Sequence, residues 1–296
     1  MNNPILNNHT PIKKIAIQGY EGSFHQEAAL NFFGEHITIL PCDNFPEVFK
    51  VVDDAAQSDA AVIAIENSIV GSILPNYNLL QESKLIITGE IYLNISQNLL
   101  VYPGVRIEDV REVRSHHMAI RQCRNYLLDF DWKVIETEDT ALSAKHIRQH
   151  HSKHIAAIAS KLAADMYGLE ILAPDIHTMK TNYTRFLVLE REKQAMPVPD
   201  ANKASVNFNT NHSMGSLAKV LTAIADGGIN LSKLQSFPIP GSEWLYSFHV
   251  DMEFDSIEQF DKVINMIRSL TVELKIYGVY KREVPFKKKI NDQRKY

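Results

Sequence analysis

Cysteine is scarce in this chain. Two in 296 residues, Cys42 and Cys123, are too few and too far apart to form a disulfide framework or a zinc site, so they read as buried thiols in a reducing cytoplasm. An excess of positive charge is also missing. Lys and Arg total 31 against 35 Asp and Glu, and the net charge of -4 supplies no basic field for nucleic acid or an anionic membrane. Residues 1–10 hold four Asn and no apolar run, which excludes a signal peptide or membrane anchor there and leaves a loose arm. His116 and His117 stand side by side, but no third ligand has metal-site spacing, so they read as surface or capping residues.

Apolar residues are plentiful, at 45%, and the length suits about two domains. From Lys13 short apolar runs alternate with amphipathic segments. KKIAIQG, HITILP and AAVIAIEN read as strands, with helices beginning at Gly22-Ser23 and spanning 45–56. Strands this apolar are covered on both faces, so the order β-α-β-α-β predicts a mostly parallel sheet flanked by helices, with ligands at strand carboxyl ends and helix N-termini. A long alternating stretch, 86–102, reads as one strand crossing between two lobes. A second α/β lobe follows: strands over 112–115, 132–136 and 154–159, and helices over 118–130, 140–149 and 160–167.

The chain returns through TNYTRFLVL, residues 181–189, a polar loop entering a buried strand. Strand alternation puts Thr184 and Phe186 on one face and Arg185 on the other. A hydroxyl beside an aromatic ring suits a small cyclic substrate, although a core strand with a polar entry has the same pattern. Two crossings between two lobes would leave a cleft. Pro197 and Pro199 among polar residues make 193–202 a linker. Beyond it the elements run strand 205–208, helix 216–225, strand 231–237, strand 245–253, helix 257–270 and strand 272–280, which is the βαββαβ, ferredoxin-like order. The tail from Lys281 carries KKK and reads as solvated, disordered after about Phe286.

Two further motifs carry chemistry. IENSIVGS, residues 65–72, ends an apolar strand on Glu66, Asn67 and Ser68, where a cap and turn or a binding pair would both fit. SHHMAIRQC sets Ser115 and His116 ahead of a helix, with Gln122 about one and a half turns on. Together with AAIASKLAADMYGL, NYTRFLVLE, and GSLAKVL and INLSKLQSFP in the βαββαβ segment, these motifs resemble the prephenate dehydratase family over about 13–283, in order and spacing.

That resemblance implies decarboxylative dehydration of prephenate to phenylpyruvate in phenylalanine biosynthesis. It implies a two-lobed, periplasmic-binding-protein-like (type II) catalytic domain over 13–192, with the second lobe about 98–175, and a C-terminal ACT domain over 203–283 that binds L-phenylalanine as feedback inhibitor. Thr184 of the TRF motif is then the principal catalytic residue, with Asn67 and Gln122 beside it. Glu66, Ser68, Phe186, Ser23, Ser115, His116, Ser160 and Asn182 are the expected substrate contacts. Gly215, Ser216, Leu217, Asn230, Leu231, Gln235 and Ser236 are the expected effector contacts. Three positions depart from the family pattern. Ala64 stands for the proline before ENS, His117 for the proline after His116, and Gln235-Ser236-Phe237-Pro238 for ESRP. The first two change no group that the chemistry needs. The third removes a charge pair near the effector pocket.

The ring becomes aromatic as hydroxide and carbon dioxide leave, so no electron sink is required and neither cofactor nor metal is expected. A threonine hydroxyl is too weak a bulk acid at neutral pH, so Thr184 would act as hydrogen-bond donor or proton relay to the leaving oxygen. Helix N-termini near Ser23, Ser68 and Ser160 would offer N–H groups to the two carboxylates. Phe186 would wall the ring. Arogenate dehydratase has the same motifs and is the alternative enzyme. A non-catalytic amino-acid sensor of the same fold would not need Thr184. An ACT domain implies a homodimer or homotetramer.

Overall fold

The computed structural model describes residues 12–284 except 197, 240, 243 and 244. The expected N-terminal arm, the tail beyond Phe286 and Pro197 of the expected linker lie outside the described residues. The first stretch is β1 (Lys13–Gln18), α1 (Phe24–Phe33), β2 (Ile37–Cys42), α2 (Phe45–Asp53), β3 (Ala60–Asn67), β4 (Gly71–Ser72), α3 (Leu74–Glu82) and β5 (Leu85–Asn94). Next come β6 (Asn98–Val101), β7 (Glu112–His116), α4 (His117–Gln122), α5 (Arg124–Leu127), β8 (Lys133–Thr137), α6 (Thr140–His150), β9 (Ile155–Ala159), α7 (Lys161–Tyr167), β10 (Glu170–Ala173) and β11 (Tyr183–Arg191). Last are β12 (Lys203–Asn209), α8 (Ser216–Asp226), β13 (Asn230–Pro238), β14 (Tyr246–Glu253), α9 (Ile257–Arg268) and β15 (Glu273–Tyr280). The fold is mixed α/β.

The chain divides into two compact units. One holds residues up to Ile63 with Asn94–Tyr183, the other Ala64–Leu93 with residues from Thr184 onward. The chain passes from the first to the second within β3. In the first unit β1 pairs parallel with β2 and with β3. A second sheet there has the order β10-β6-β9-β7-β8. Leu99 and Val101 pack with Ala119, Cys123 and Leu127, whereas their neighbour Leu100 packs with Ala141, Ala144 and Ala163. Strand alternation thus sends successive residues of β6 to opposite faces, each covered by helices. Helix starts follow the capping rule: Ser23 accepts from Gln26 N–H, Asn44 from Glu47 N–H, Asp139 from Leu142 N–H and Ser160 from Ala163 N–H.

In the second unit β3, β11 and β5 are neighbours in that order, and β4 folds back antiparallel on β3. Its other sheet, β13-β14-β12-β15, is antiparallel throughout and carries α8 and α9. Ala204, Val206 and Phe208 of β12 enter the apolar core with Val220, Ile224, Val263 and Ile267. The alternate residues Lys203, Ser205 and Asn207 are buried too, on the opposite face. The backbones close tightly at Gly278, where an added Cβ would lie 2.0 Å from the Ile87 carbonyl oxygen.

Two sequence expectations change, and two elements carried no sequence signal. The single strand over 86–102 is two, β5 and β6, because the backbone at Ile95–Gln97 leaves the ladder to bond elsewhere: Ile95 N–H donates to Asn182 O and Gln97 O accepts from Ile176 N–H. The helix over 118–130 breaks at Cys123, whose φ of -98° and ψ of 8° leave the α region. Helix α3 carried no legible apolar stripe, since its buried residues are Asn76, Tyr77 and Leu80. Strand β10 was likewise absent from the sequence reading.

Candidate active site

Strand β3 runs apolar until Glu66 and Asn67, then turns through Ser68–Val70 into β4. The side-chain oxygen of Asn67 accepts from Ile69 N–H at 2.9 Å and Val70 N–H at 3.1 Å. Those two donors fix which end of the amide is oxygen. The Asn67 Nδ2 therefore donates, and it reaches Thr184 Oγ1 at 3.0 Å. Thr184 is the second residue of β11, and both side chains are buried. A hydroxyl that accepts from an amide keeps its own hydrogen to give, and the accepted bond polarises it toward giving.

Ser68 needs correction. It lies in the β3–β4 turn and not at a helix N-terminus, so it has no helix dipole to offer a carboxylate. Glu66 is held by Lys233 Nζ at 2.8 Å, and the same ammonium donates to Ser72 Oγ at 2.8 Å. Phe186 is 1% exposed, which seats the expected ring wall inside the core.

Arg185 points away from Thr184 into a charged cluster that the sequence reading did not assign. Its Nε donates to Glu90 Oε2 at 2.7 Å, Nη1 to Asp251 Oδ2 at 2.5 Å and Nη2 to Tyr280 Oη at 2.9 Å. Lys203 Nζ also reaches Glu90, at 2.9 Å, and Ser205 Oγ donates to Asp251. Burial by itself would lower the guanidinium's pKa, but Asp251, Tyr280 and Glu90 hold it well above its usual value. Burial would raise Asp251, yet Arg185 and the His249 hydrogen bond keep that carboxyl well below the usual range. The legible signal was a lone charge in an apolar strand: Glu90 in GEIY, Asp251 in HVDM.

The first unit carries a separate amide cluster. Gln122, at the end of α4, accepts on Oε1 from Asn182 Nδ2 at 3.2 Å and from Gln97 Nε2 at 3.3 Å. With that oxygen occupied, the Gln122 Nε2 remains a donor. His177 Nδ1 accepts from Gln97 N–H at 3.3 Å, which puts the neutral ring's proton on Nε2; burial lowers its pKa. Gln97 and His177 were not among the expected site residues, and only their polarity between apolar neighbours marked them.

Of the other expected contacts in this unit, Ser115 is fully buried and donates to Ile158 O at 2.6 Å. His116 caps α4 by accepting from Met118 N–H at 3.3 Å, and burial followed by His117 lowers its pKa. Ser23 caps α1, and Ser160 caps α7 while donating to Gly22 O at 2.6 Å. The structure thus brings Asn67 to Thr184 and Asn182 to Gln122, and gives the serines capping or carbonyl bonds. Among the described residues no three His, Cys, Asp or Glu cluster as metal ligands.

Gly215, Ser216 and Leu217 line an open hollow of about 650 Å³ with Asn211, Tyr246 and Phe248. Gly215 precedes α8 at φ 78°, a conformation that favours glycine. Asn230, Leu231, Gln235 and Ser236 lie on β13 outside that hollow. Gln235 Oε1 accepts from Ser72 Oγ at 3.4 Å, and Phe237 packs on Tyr77 with ring centroids 5.2 Å apart. Gln235 and Phe237, where the sequence departs from ESRP, therefore do not line this hollow.

Comparison with known proteins gives a consistent set of matches. The sequence model of the prephenate dehydratase family matches residues 15–194. Arogenate dehydratase 2 of Petunia hybrida is 34% identical over 282 residues, spanning 90% of this chain and 71% of the plant protein. Among solved structures, GqqA, described as a novel type of quorum quenching acylase, has a TM-score of 0.83 at 30% identity, covering 93% of this chain and 100% of that one. Prephenate dehydratase from Arthrobacter aurescens, in complex with L-Phe, has a TM-score of 0.80 at 26% identity, covering 91% and 90%.

Proposed function

The chain belongs to the prephenate dehydratase family, and we propose that its substrate is prephenate, converted to phenylpyruvate, carbon dioxide and hydroxide. The observation that carries this reading is the Asn67–Thr184 pair, a buried hydroxyl whose oxygen is occupied by an amide N–H and whose hydrogen is left to donate. In the reaction the ring carboxylate's C–C bond breaks, its electrons complete the aromatic ring, and the ring C–O bond releases hydroxide. The dianion becomes one monoanion, carbon dioxide and hydroxide, so charge balances without a redox partner. Thr184 donates to the departing oxygen as negative charge develops there, where a fixed donor is most effective. Gln122, with its Oε1 taken by two amides, orients the substrate through Nε2.

Arogenate differs from prephenate by an amino group in the side chain, and the name of the Petunia relative keeps that substrate as the second reading. Acyl transfer, named for one structural neighbour, needs a nucleophile beside a base. At Thr184 an amide donor occupies the oxygen and makes it less nucleophilic. The test is turnover of prephenate and of arogenate by the purified protein. A higher kcat/KM on prephenate is expected; a preference for arogenate would reassign the substrate, and turnover of neither would refute the dehydratase reading.

We read 13–192 as a two-lobed catalytic domain and 203–283 as an ACT domain that takes L-phenylalanine at Gly215, Ser216 and Leu217. The support is the βαββαβ order, the hollow at the start of α8 and the L-Phe bound by the Arthrobacter relative. A cytoplasmic homodimer or homotetramer completes this reading.

A further inference from the structure

Two ionic contacts flank the Asn67–Thr184 pair, and each is one residue away. Glu66, which precedes Asn67, is bound by Lys233 of β13 at 2.8 Å. Arg185, which follows Thr184, is bound by Asp251 of β14 at 2.5 Å and by Tyr280 of β15 at 2.9 Å. Three strands of the βαββαβ sheet therefore hold the two short backbone stretches that carry the pair. We infer that Lys233 and Asp251 are positioning residues, through which the C-terminal βαββαβ segment sets the register of Asn67 against Thr184.

The energetics favour registration over stabilisation. Arg185, Lys203, Glu90 and Asp251 are each at most 4% exposed, and their charges cancel. Buried ion groups rarely outdo apolar residues of similar volume in stability, whereas they tolerate few alternative geometries. Glu90 accepts from both cations, so β5, β11 and β12 are fixed to one another through one carboxylate. At the second contact Lys233 also holds Ser72, which closes the β3–β4 hairpin around the turn that orients Asn67. A shift of β13 would move Glu66, and with it the turn whose N–H groups of Ile69 and Val70 fix the Asn67 amide. The displacement that matters is small, because a hydrogen bond of 3.0 Å weakens steeply once it lengthens or bends.

This inference rests on the dehydratase reading for its kinetic arm only. The experiment uses the full chain with Lys233→Met, which keeps the aliphatic stem and removes the ammonium, Lys233→Arg as the conservative rescue, and Asp251→Asn. Thermal midpoint, kcat and KM on prephenate and arogenate, and amide hydrogen exchange at Ile69 and Val70 are measured for each. Lys233→Met should keep its thermal midpoint, lose roughly tenfold in kcat with KM within about twofold, and exchange the two amides roughly tenfold faster; Lys233→Arg should restore both. Asp251→Asn should lower kcat in the same way where it folds. A folded Lys233→Met protein with wild-type kcat and wild-type exchange at Ile69 and Val70 overturns the inference. If the wild type turns over neither substrate, the dehydratase reading fails by itself, and the exchange measurement still decides whether Lys233 holds the turn.

Discussion

Replacing Thr184 with valine removes one hydroxyl and almost no volume, which makes the consequence calculable from its single side-chain partner. Asn67 Nδ2 loses the acceptor it has at 3.0 Å. Leaving a buried amide donor without that bond costs about 1–3 kcal/mol of stability, enough to lower the melting temperature by several degrees without unfolding the chain. The catalytic cost is separate. Loss of a positioned proton donor lowers kcat by roughly 10²- to 10⁴-fold, or about 2.7–5.4 kcal/mol in barrier. Asn67→Ala should lower kcat/KM at least about tenfold, because Thr184 loses the donor that polarises it. Since Asn67 acts through Thr184, the double variant should be no worse than Thr184→Val by more than about threefold. Thr184→Ser should retain most turnover. The assay is phenylpyruvate formation over a range of prephenate concentrations, giving kcat and kcat/KM for all four variants, with thermal melts alongside. Near-wild-type turnover by folded Thr184→Val would refute the role of the hydroxyl; multiplicative losses in the double variant would refute the coupling.

Gln122→Ala should lower kcat/KM at least about tenfold, since Nε2 is the donor left after Oε1 is taken by Asn182 and Gln97; an unchanged value would remove it from substrate binding. The depressed pKa of Asp251 predicts an acid-side loss of stability. Its contribution is complete above the ordinary 3.8 and disappears as pH falls below that value through the folded pKa, so Asp251→Asn should flatten the decline in urea midpoint below about pH 4; an unchanged decline would refute the assignment. Ser216→Arg fills the hollow at the start of α8 and should abolish calorimetric binding of L-phenylalanine, whereas undiminished binding would move the effector elsewhere.

Much of the architecture was legible because burial leaves a periodic trace. AAVIAIEN is apolar on both faces and is indeed buried almost throughout, and helix starts declared themselves through Ser23, Asn44 and Ser160. One failure has its cause in backbone hydrogen bonds made far along the chain. The strand over 86–102 breaks where Ile95 bonds Asn182 and Gln97 bonds Ile176, and neither partner is visible in the local pattern. Helix α3 hid for a different reason. Its buried Asn76 spends its amide on Ala64 O at 2.7 Å, a polar group inside where periodicity looks for an apolar one. At the site, the ENS and TRF motifs carried Asn67 and Thr184 through resemblance, but not the hydrogen bond between them across 117 residues. The serines show the converse. Ser23, Ser115 and Ser160 do lie at strand or helix ends, and their hydroxyls are occupied by capping and carbonyl bonds.

Arg185 shows how far a single sequence can go. Alternation along TNYTRFLVL turns it away from Thr184, and it does face away, yet both faces of β11 are buried, so the guanidinium required partners there. Three other strands each hold a charge among residues that are otherwise buried: Glu90, Lys203 and Asp251. Since an isolated buried charge is prohibitive, two cations and two anions in such positions must find one another, and that neutrality could have been counted from the sequence. The pairing could not, because it depends on registers set by three separate strands. It also makes the members unequal under mutation. Glu90 accepts from Arg185, from Lys203 twice and from the Glu283 backbone N–H, so Glu90→Gln should cost more than any other single neutralisation, about 3–5 kcal/mol, by leaving two buried cations for one anion.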